Sequence, residues 1–384
     1  MTRTLIMMNM TYNHLWKQGM VNRNFHMLRQ LQTSNVFERI VSVDVLPISR
    51  SKVLRVALSS RPWRKNMHTQ MRGASYRIDS DPVNSNTSYV TAYGMRSVQR
   101  ALKTLNVDIH ESIVWSYDPL SAEAILDLKP KAFIFDAVDN WMEHPAYTQY
   151  TDRLAEAYRT ITERADIIFT VSEGLLDIFE RRSNVFFVPN GVDYEHFAAT
   201  DSTLQSFIGE HERPVIGYHG VIQSRMNFSL LDYIIDKHPE YDFHFVGPVW
   251  KDAKDDVKRL CKKKNVRFLG SVPYLKLPET LHTFDCAIIP HKIDAFTHSM
   301  NPLKLYEYLA AGVPIVATPV AGVDQFQDLV HFAVSPEDFS REIQQALSTE
   351  SSTLRKRRMS MAQHHAWSKR FDVVRTILKN ADIL

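Results

Sequence analysis

The sequence predicts an α/β protein of two doubly wound, Rossmann-like domains facing a cleft. Three observations carry this. Short, continuous apolar runs alternate with helical patterns along most of the 384 residues. Such runs mark strands buried on both faces, and their alternation with helices marks parallel sheets joined by right-handed crossovers. The alternation breaks once, between Pro189 and Pro214, where the turn Pro189-Asn190-Gly191 leads into a polar stretch before a new strand begins. The length itself, at about 150 residues per domain, allows two or three domains.

Taken in order, the strands of the first half are expected at 4–8, 113–116, 132–135, 167–171 and 185–188. Those of the second half are expected at 215–218, 243–246, 266–269, 286–289, 315–317 and 331–334. Helical patterns fall at 86–105, 147–164, 252–264 and 303–311. The last is bounded on both sides. Pro302 suits the first turn of a helix, Gly312 suits its C-terminal cap, and Pro314 stops it. Ligands of such sheets bind beyond the strand C-termini, at topological switch points, and two facing domains place the main site between them.

Composition excludes several classes. Apolar residues make up 44% and charged residues 23%, which is globular rather than disordered. No apolar run approaches the roughly 18 residues that span a bilayer, and residues 1–10 lack a small-residue cleavage site, so no signal peptide is expected. Two cysteines, Cys261 and Cys286, fit a reducing, cytoplasmic setting and exclude a disulfide framework or a cysteine zinc site. A net charge of +3 does not suggest nucleic acid. Glycine is scarce at 12 residues, and eight of these fall between 191 and 322.

The common phosphate and hydrolase motifs are absent: there is no GxGxxG after the first strand, no Walker A, no HExxH and no GxSxG. Asp79-Ser80-Asp81 has the spacing of a divalent-cation DxD, but sits before Pro82 in a polar stretch and reads as a solvated loop. The richest segment is 297–322, THSMNPLKLYEYLAAGVPIVATPVAG. Lys304, Glu307 and Tyr308 are spaced three and four apart, so they share a helix face. A lysine in the first turn joins the positive end of the helix dipole in an anion pocket suited to a diphosphate. A glutamate one turn on can accept hydroxyls of a ribose or sugar ring.

The string PLKLYEYLAAGVPIVATPVAG resembles the donor-site segment of GT-B fold glycosyltransferases, of the family 4 or group 1 type associated with bacterial surface polysaccharides. Four further segments resemble that family in order: 171–179 with 188–197, 214–222, 265–291 and 364–372. The resemblance implies a glycosyltransferase that needs no metal or other cofactor. It would move a sugar from a nucleotide diphosphate sugar, a UDP-sugar being favoured, to a hydroxyl of a glycan or lipid-linked acceptor. It implies an acceptor-binding domain at 1–195, completed by the C-terminal helix 366–384, and a nucleotide-sugar domain at 196–365. Lys304 matches the donor-phosphate lysine and Glu307 the second glutamate of the E-x7-E signature. The first glutamate is replaced by Ser299, so Thr297, Ser299 and Asn301 are the candidates for neutral contacts there. Gly220 resembles the glycine that lets the loop backbone approach a phosphate, and Arg225 the second diphosphate cation. Gly19 resembles the glycine of the first-strand loop. A nucleotide-sugar epimerase and a non-catalytic nucleotide-sugar-binding subunit remain as alternatives on the same fold.

In the first half, Phe133 to Trp141 ends an apolar strand in two carboxylates, Asp136 and Asp139, at the cleft edge of a parallel sheet. Either can take the proton of an acceptor hydroxyl or orient the acceptor. His144 follows nearby. Residues 50–78 hold eight Lys or Arg and no acid, with Trp63 and Met67 interleaved. That pattern suits peripheral contact with an anionic membrane surface at the inner face of the cell membrane. No nucleic-acid-binding motif accompanies it. Arg355-Lys356-Arg357-Arg358 reads as a solvated helix face.

Overall fold

The structure, a computed structural model, describes residues 3–16, 20–46, 67–73, 75–198 and 212–384. It divides into two compact units, Met1–Val188 with Phe371–Leu384, and Pro189–Arg370. The second dividing line falls inside the last helix, Trp367–Asn380.

The first unit holds β1 (Thr4–Asn9), β2 (Arg39–Leu46), β3 (His68–Arg72), β4 (Tyr76–Ser80), β5 (Thr87–Tyr93), β6 (Ser112–Ser116), β7 (Ala132–Ala137), β8 (Ile167–Thr170) and β9 (Val185–Phe187). Their order in the sheet is β3-β4-β5-β2-β1-β6-β7-β8-β9. Every pairing is parallel except β3 with β4 and β4 with β5. The chain builds outward from β1 to β2 and later restarts on the other side at β6, so the switch point lies between β1 and β6. Ile6, Met8, Val41, Val43, Val114, Phe133, Phe135 and Ile168 form one face of a continuous core against Val98, Leu102, Ile161 and Leu175. Each such side chain contributes about 1.5–3 kcal/mol on full burial.

The second unit holds β10 (Val215–His219), β11 (Asp242–Val246), β12 (Val266–Gly270), β13 (Cys286–Ile289), β14 (Ile315–Ala317) and β15 (His331–Phe332). The sheet order is β12-β11-β10-β13-β14-β15, all parallel, with its switch point between β10 and β13. Ile216, Tyr218, Phe243, Phe245, Cys286 and Ile288 pack on Leu230, Leu231 and Ile234 of the helix Phe228–Lys237.

Four expectations are corrected. Residues 86–105 are not one helix: Thr87–Tyr93 is strand β5, and the helix begins only at Met95, after Gly94 at φ 73°. The β-branched and aromatic residues of TSYVTAY favour the pleated surface, and Gly94 supplies the left-handed break. Strand β2 was not expected, because Ser42 and Asp44 interrupt its apolar run; both are buried and receive hydrogen bonds from Asn9 Nδ2 at 2.8 and 3.0 Å. Asp79 and Asp81 are not in a solvated loop. Asp79 lies in β4, buried, and accepts from Thr69 Oγ1 and Arg77 Nε at 2.8 Å each. Asp81, also buried, accepts from Val83 N and Asn84 Nδ2 at 3.0 Å, which closes a turn. Finally, Arg355 and Arg358 are buried rather than solvated. Arg358 donates from Nε and Nη2 to Gly312 O at 3.1 and 2.9 Å and pairs with Glu350. It therefore satisfies the terminal carbonyl of the helix Leu303–Ala311, whose cap Gly312 sits at φ 72°.

Candidate functional site

In the second unit, three strand ends and one helix meet at the switch point. The chain leaves β10 through His219 and Gly220, leaves β11 through Gly247, leaves β13 through Pro290 and His291, and then enters the helix Leu303–Ala311. Two glycines allow the loops to cross. Gly220 is at φ 122° and Gly247 at φ 141°, and a Cβ on Gly247 would lie 2.0 Å from Gly220 O. Gly220 N donates to Val246 O at 2.9 Å across the same crossing.

Lys304 reaches under this crossing. A Cβ on Gly220 would stand 3.1 Å from Lys304 Cε and 3.4 Å from its Nζ. The ammonium lies 4.8 Å from the centroid of the Tyr218 ring and 3.5 Å from His291 Nε2. Burial, with Arg225 nearby, holds the Lys304 ammonium well below its usual range, and Glu307 opposes that shift. His291 is completely buried. Burial first, then Lys304 and Arg225, push its pKa well below the ordinary imidazole value, so the ring is neutral. An anion entering here would meet two cations already crowded together, and its binding would relieve their repulsion. The helix adds its positive end, and Pro302 provides no side-chain cap to its first turn.

The same helix carries Glu307 and Tyr308 toward β10. His219 N donates to Tyr308 Oη at 2.8 Å, and the His219 ring stands edge-on to Tyr308 at 5.2 Å. Glu307 Oε2 lies 2.6 Å from His219 Nε2. Arg225 is half-buried; its Nη1 lies 3.9 Å from Met300 Sδ, and Gln223, with its amide oxygen turned inward, accepts from Nε and Nη2 at 2.9 and 3.2 Å. Lys304, Glu307, Gly220 and Arg225, all singled out in the sequence, therefore gather in one place. His219 and His291 join them and were missed. Their signal was positional: His219 is the polar last residue of an apolar parallel strand, and His291 follows another by two residues.

The remaining sequence candidates of this unit stand at the helix entrance. Thr297 Oγ1 donates to Asp294 O and accepts from Asp294 N, while Ser299 Oγ donates to Phe296 O at 2.8 Å. Asn301 Oδ1 accepts from Asn190 N at 3.0 Å, and Asn301 O accepts from Asn190 Nδ2 at 2.6 Å. All three residues are buried.

In the first unit, Asp136 is wholly buried at the end of β7 and paired with Arg23, whose Nε donates to both carboxylate oxygens at 2.9 and 3.0 Å. Burial raises the Asp136 pKa despite Arg23, which pulls it down. Asp139 is half-buried, and its carbonyl accepts from Tyr158 Oη at 3.0 Å. The His144 ring lies 5.4 Å from that of Trp141, tilted by 32° to it. Near the switch point, Asp44 Oδ2 accepts from Asn13 N at 2.8 Å, and burial lifts this carboxyl to about 7. Gly19 lies outside the described residues, as do 47–66 and so most of the basic stretch 50–78. Among the described residues no group of three His, Cys, Asp or Glu is placed to hold a metal ion.

With two units of these strand orders, and by its likeness to the solved structures below, the chain has the GT-B class of fold, as the resemblance in the sequence implied. Residues 213–349 match the family model of Glycosyl transferases group 1. Among individual proteins, the chain is 30% identical over 173 residues to TuaH of Bacillus subtilis, whose name assigns it to teichuronic acid biosynthesis as a glycosyltransferase. That match spans 44% of each protein, so the chain covers under half the length of this curated relative. Two solved structures superpose over all of the chain and all of their own length. HepE of Anabaena, in complex with UDP and glucose, has a TM-score of 0.68 at 13% identity. Sucrose-phosphate synthase of Thermosynechococcus elongatus has a TM-score of 0.74 at 12% identity.

Proposed function

We propose that this protein is a glycosyltransferase that transfers a sugar from a nucleotide diphosphate sugar, a UDP-sugar foremost, to a hydroxyl of a glycan or lipid-linked acceptor in surface polysaccharide synthesis. The observation that carries this is Lys304, buried in the first turn of an uncapped helix, against Gly220 and close to Arg225. Backbone N–H groups, one ammonium and one guanidinium suit the charge that develops on a departing diphosphate. Glu307 is the acceptor for donor hydroxyls, and Thr297, Ser299 and Asn301 wall the entrance to the helix. Asp139 or Asp136 serves the acceptor hydroxyl. Asp139 suits that work better, because Asp136 is already bound by Arg23. Gly19 and the basic stretch 50–78 keep the roles that the sequence suggests, loop approach to the donor and contact with an anionic membrane face. The name of TuaH supports the surface-polymer setting, and the UDP and glucose of the HepE complex support the donor class.

The test is release of free UDP from a panel of UDP-sugars with and without glycan acceptors. Acceptor-dependent release that survives EDTA is expected. Interconversion of the sugar without UDP release would favour an epimerase, and donor binding without turnover would favour a binding subunit. Strict metal dependence would contradict the use of Lys304 and Arg225 in place of a cation.

A further inference from the structure

His219 has no part in the reading above, yet it stands in the middle of the site. It closes β10, and its position is fixed twice over, by its backbone N–H on Tyr308 Oη and by its ring edge against the Tyr308 ring. It is 8% exposed and Glu307 is 6% exposed. Their polar atoms, His219 Nε2 and Glu307 Oε2, approach to 2.6 Å but are not aligned as donor and acceptor. Among the described residues neither atom has another hydrogen-bond partner. A buried pair of this kind costs free energy until a third group satisfies both atoms.

We propose that His219 is a donor-binding residue that works with Glu307 as a two-atom clamp on a hydroxyl of the nucleotide sugar. The hydroxyl sits at the apex of a triangle whose base is the 2.6 Å contact. It donates its proton to Glu307 Oε2 and accepts one from His219 Nε2. A hydroxyl is the group that fits, because it donates and accepts through one atom; an ether or carbonyl oxygen can satisfy only His219. On the helix, Glu307 lies about one turn, roughly 5 Å, beyond Lys304. This inference rests on the donor-site reading of Lys304 and Glu307. The hydroxyl has two sources, the ribose of the nucleotide and the transferred sugar.

The experiment is calorimetric titration of the full chain with UDP, 2′-deoxy-UDP and UDP-glucose, for the wild type, His219→Phe and His219→Gln. Phe keeps the ring volume and removes the polar atom, whereas the Gln amide can place a donor near the Nε2 position. Loss of one hydrogen bond in a charged, buried site predicts about tenfold weaker binding for His219→Phe. His219→Gln is expected to stay within about threefold of wild type. If the ribose is the partner, His219→Phe weakens UDP and UDP-glucose alike, and 2′-deoxy-UDP much less. If the sugar is the partner, only UDP-glucose weakens. Equal affinities in wild type and His219→Phe for every ligand would overturn the clamp, as would equal losses in Phe and Gln. Failure of the wild type to bind any of the three ligands would instead overturn the donor-site reading itself.

Discussion

Replacing Lys304 by Met should separate binding from stability, with opposite signs. Met keeps the unbranched stem and removes the ammonium. In the free protein that ammonium is a burden: it is 6% exposed, lies 3.5 Å from a neutral His291, and has its pKa driven well below the usual lysine range by burial and Arg225. Exchanging an ammonium that burial and a second cation already disfavour for an apolar group of similar volume removes that cost, against which stands only the lost attraction to Glu307. For a bound diphosphate the same ammonium is a partner, and a charge-assisted hydrogen bond contributes about 1.5–3 kcal/mol, or roughly 10- to 150-fold in affinity. Lys304→Met is therefore expected to keep or raise the thermal midpoint of the free protein while weakening UDP at least tenfold by calorimetry. A lowered midpoint with unchanged UDP affinity would show that the amine is a structural group, and the donor-site argument would fail with it.

Two further outcomes follow from the first unit. Burial lifts the Asp44 carboxyl to about 7 from its ordinary 3.8, so it favours the folded state at low pH; that contribution is complete below pH 3.8 and lost as pH rises through 7. A rise of that size corresponds to about 4 kcal/mol, so Asp44→Asn should flatten the pH dependence of urea unfolding between about pH 4 and 7; an unchanged slope would contradict this. Arg23→Ala leaves Asp136 buried without its cation and should cost about 3–5 kcal/mol, read from the same urea curves, with Arg23→Leu/Asp136→Leu recovering much of the loss. A loss under about 1 kcal/mol would mean that Asp136 is readily neutralised.

Much of the architecture was legible because it is local. The central parallel strands of the second unit, β10, β13 and β14, are apolar runs that their own residues announce, and the helix Leu303–Ala311 carries both of its boundaries, Pro302 and Gly312, in sequence. The misses were non-local. Strand β2 hides because Ser42 and Asp44 are satisfied by Asn9, more than thirty residues away. Strand β4 hides because Asp79 looks like a loop residue until Thr69 of the neighbouring β3 is seen to pair with it. The site divides in the same way. Lys304 and Glu307 are one turn apart on a helix and could be paired by spacing alone. His219 meets Glu307, and His291 meets Lys304, only because the switch point sets β10 beside β13.

The central claim is that Lys304 and its helix end hold a donor diphosphate. A crystal structure of the protein with UDP tests it most directly. The account predicts a phosphate oxygen within about 3 Å of Lys304 Nζ, near the Gly220 backbone, with hydroxyls turned toward Glu307. A diphosphate bound elsewhere, with Lys304 untouched, would contradict it.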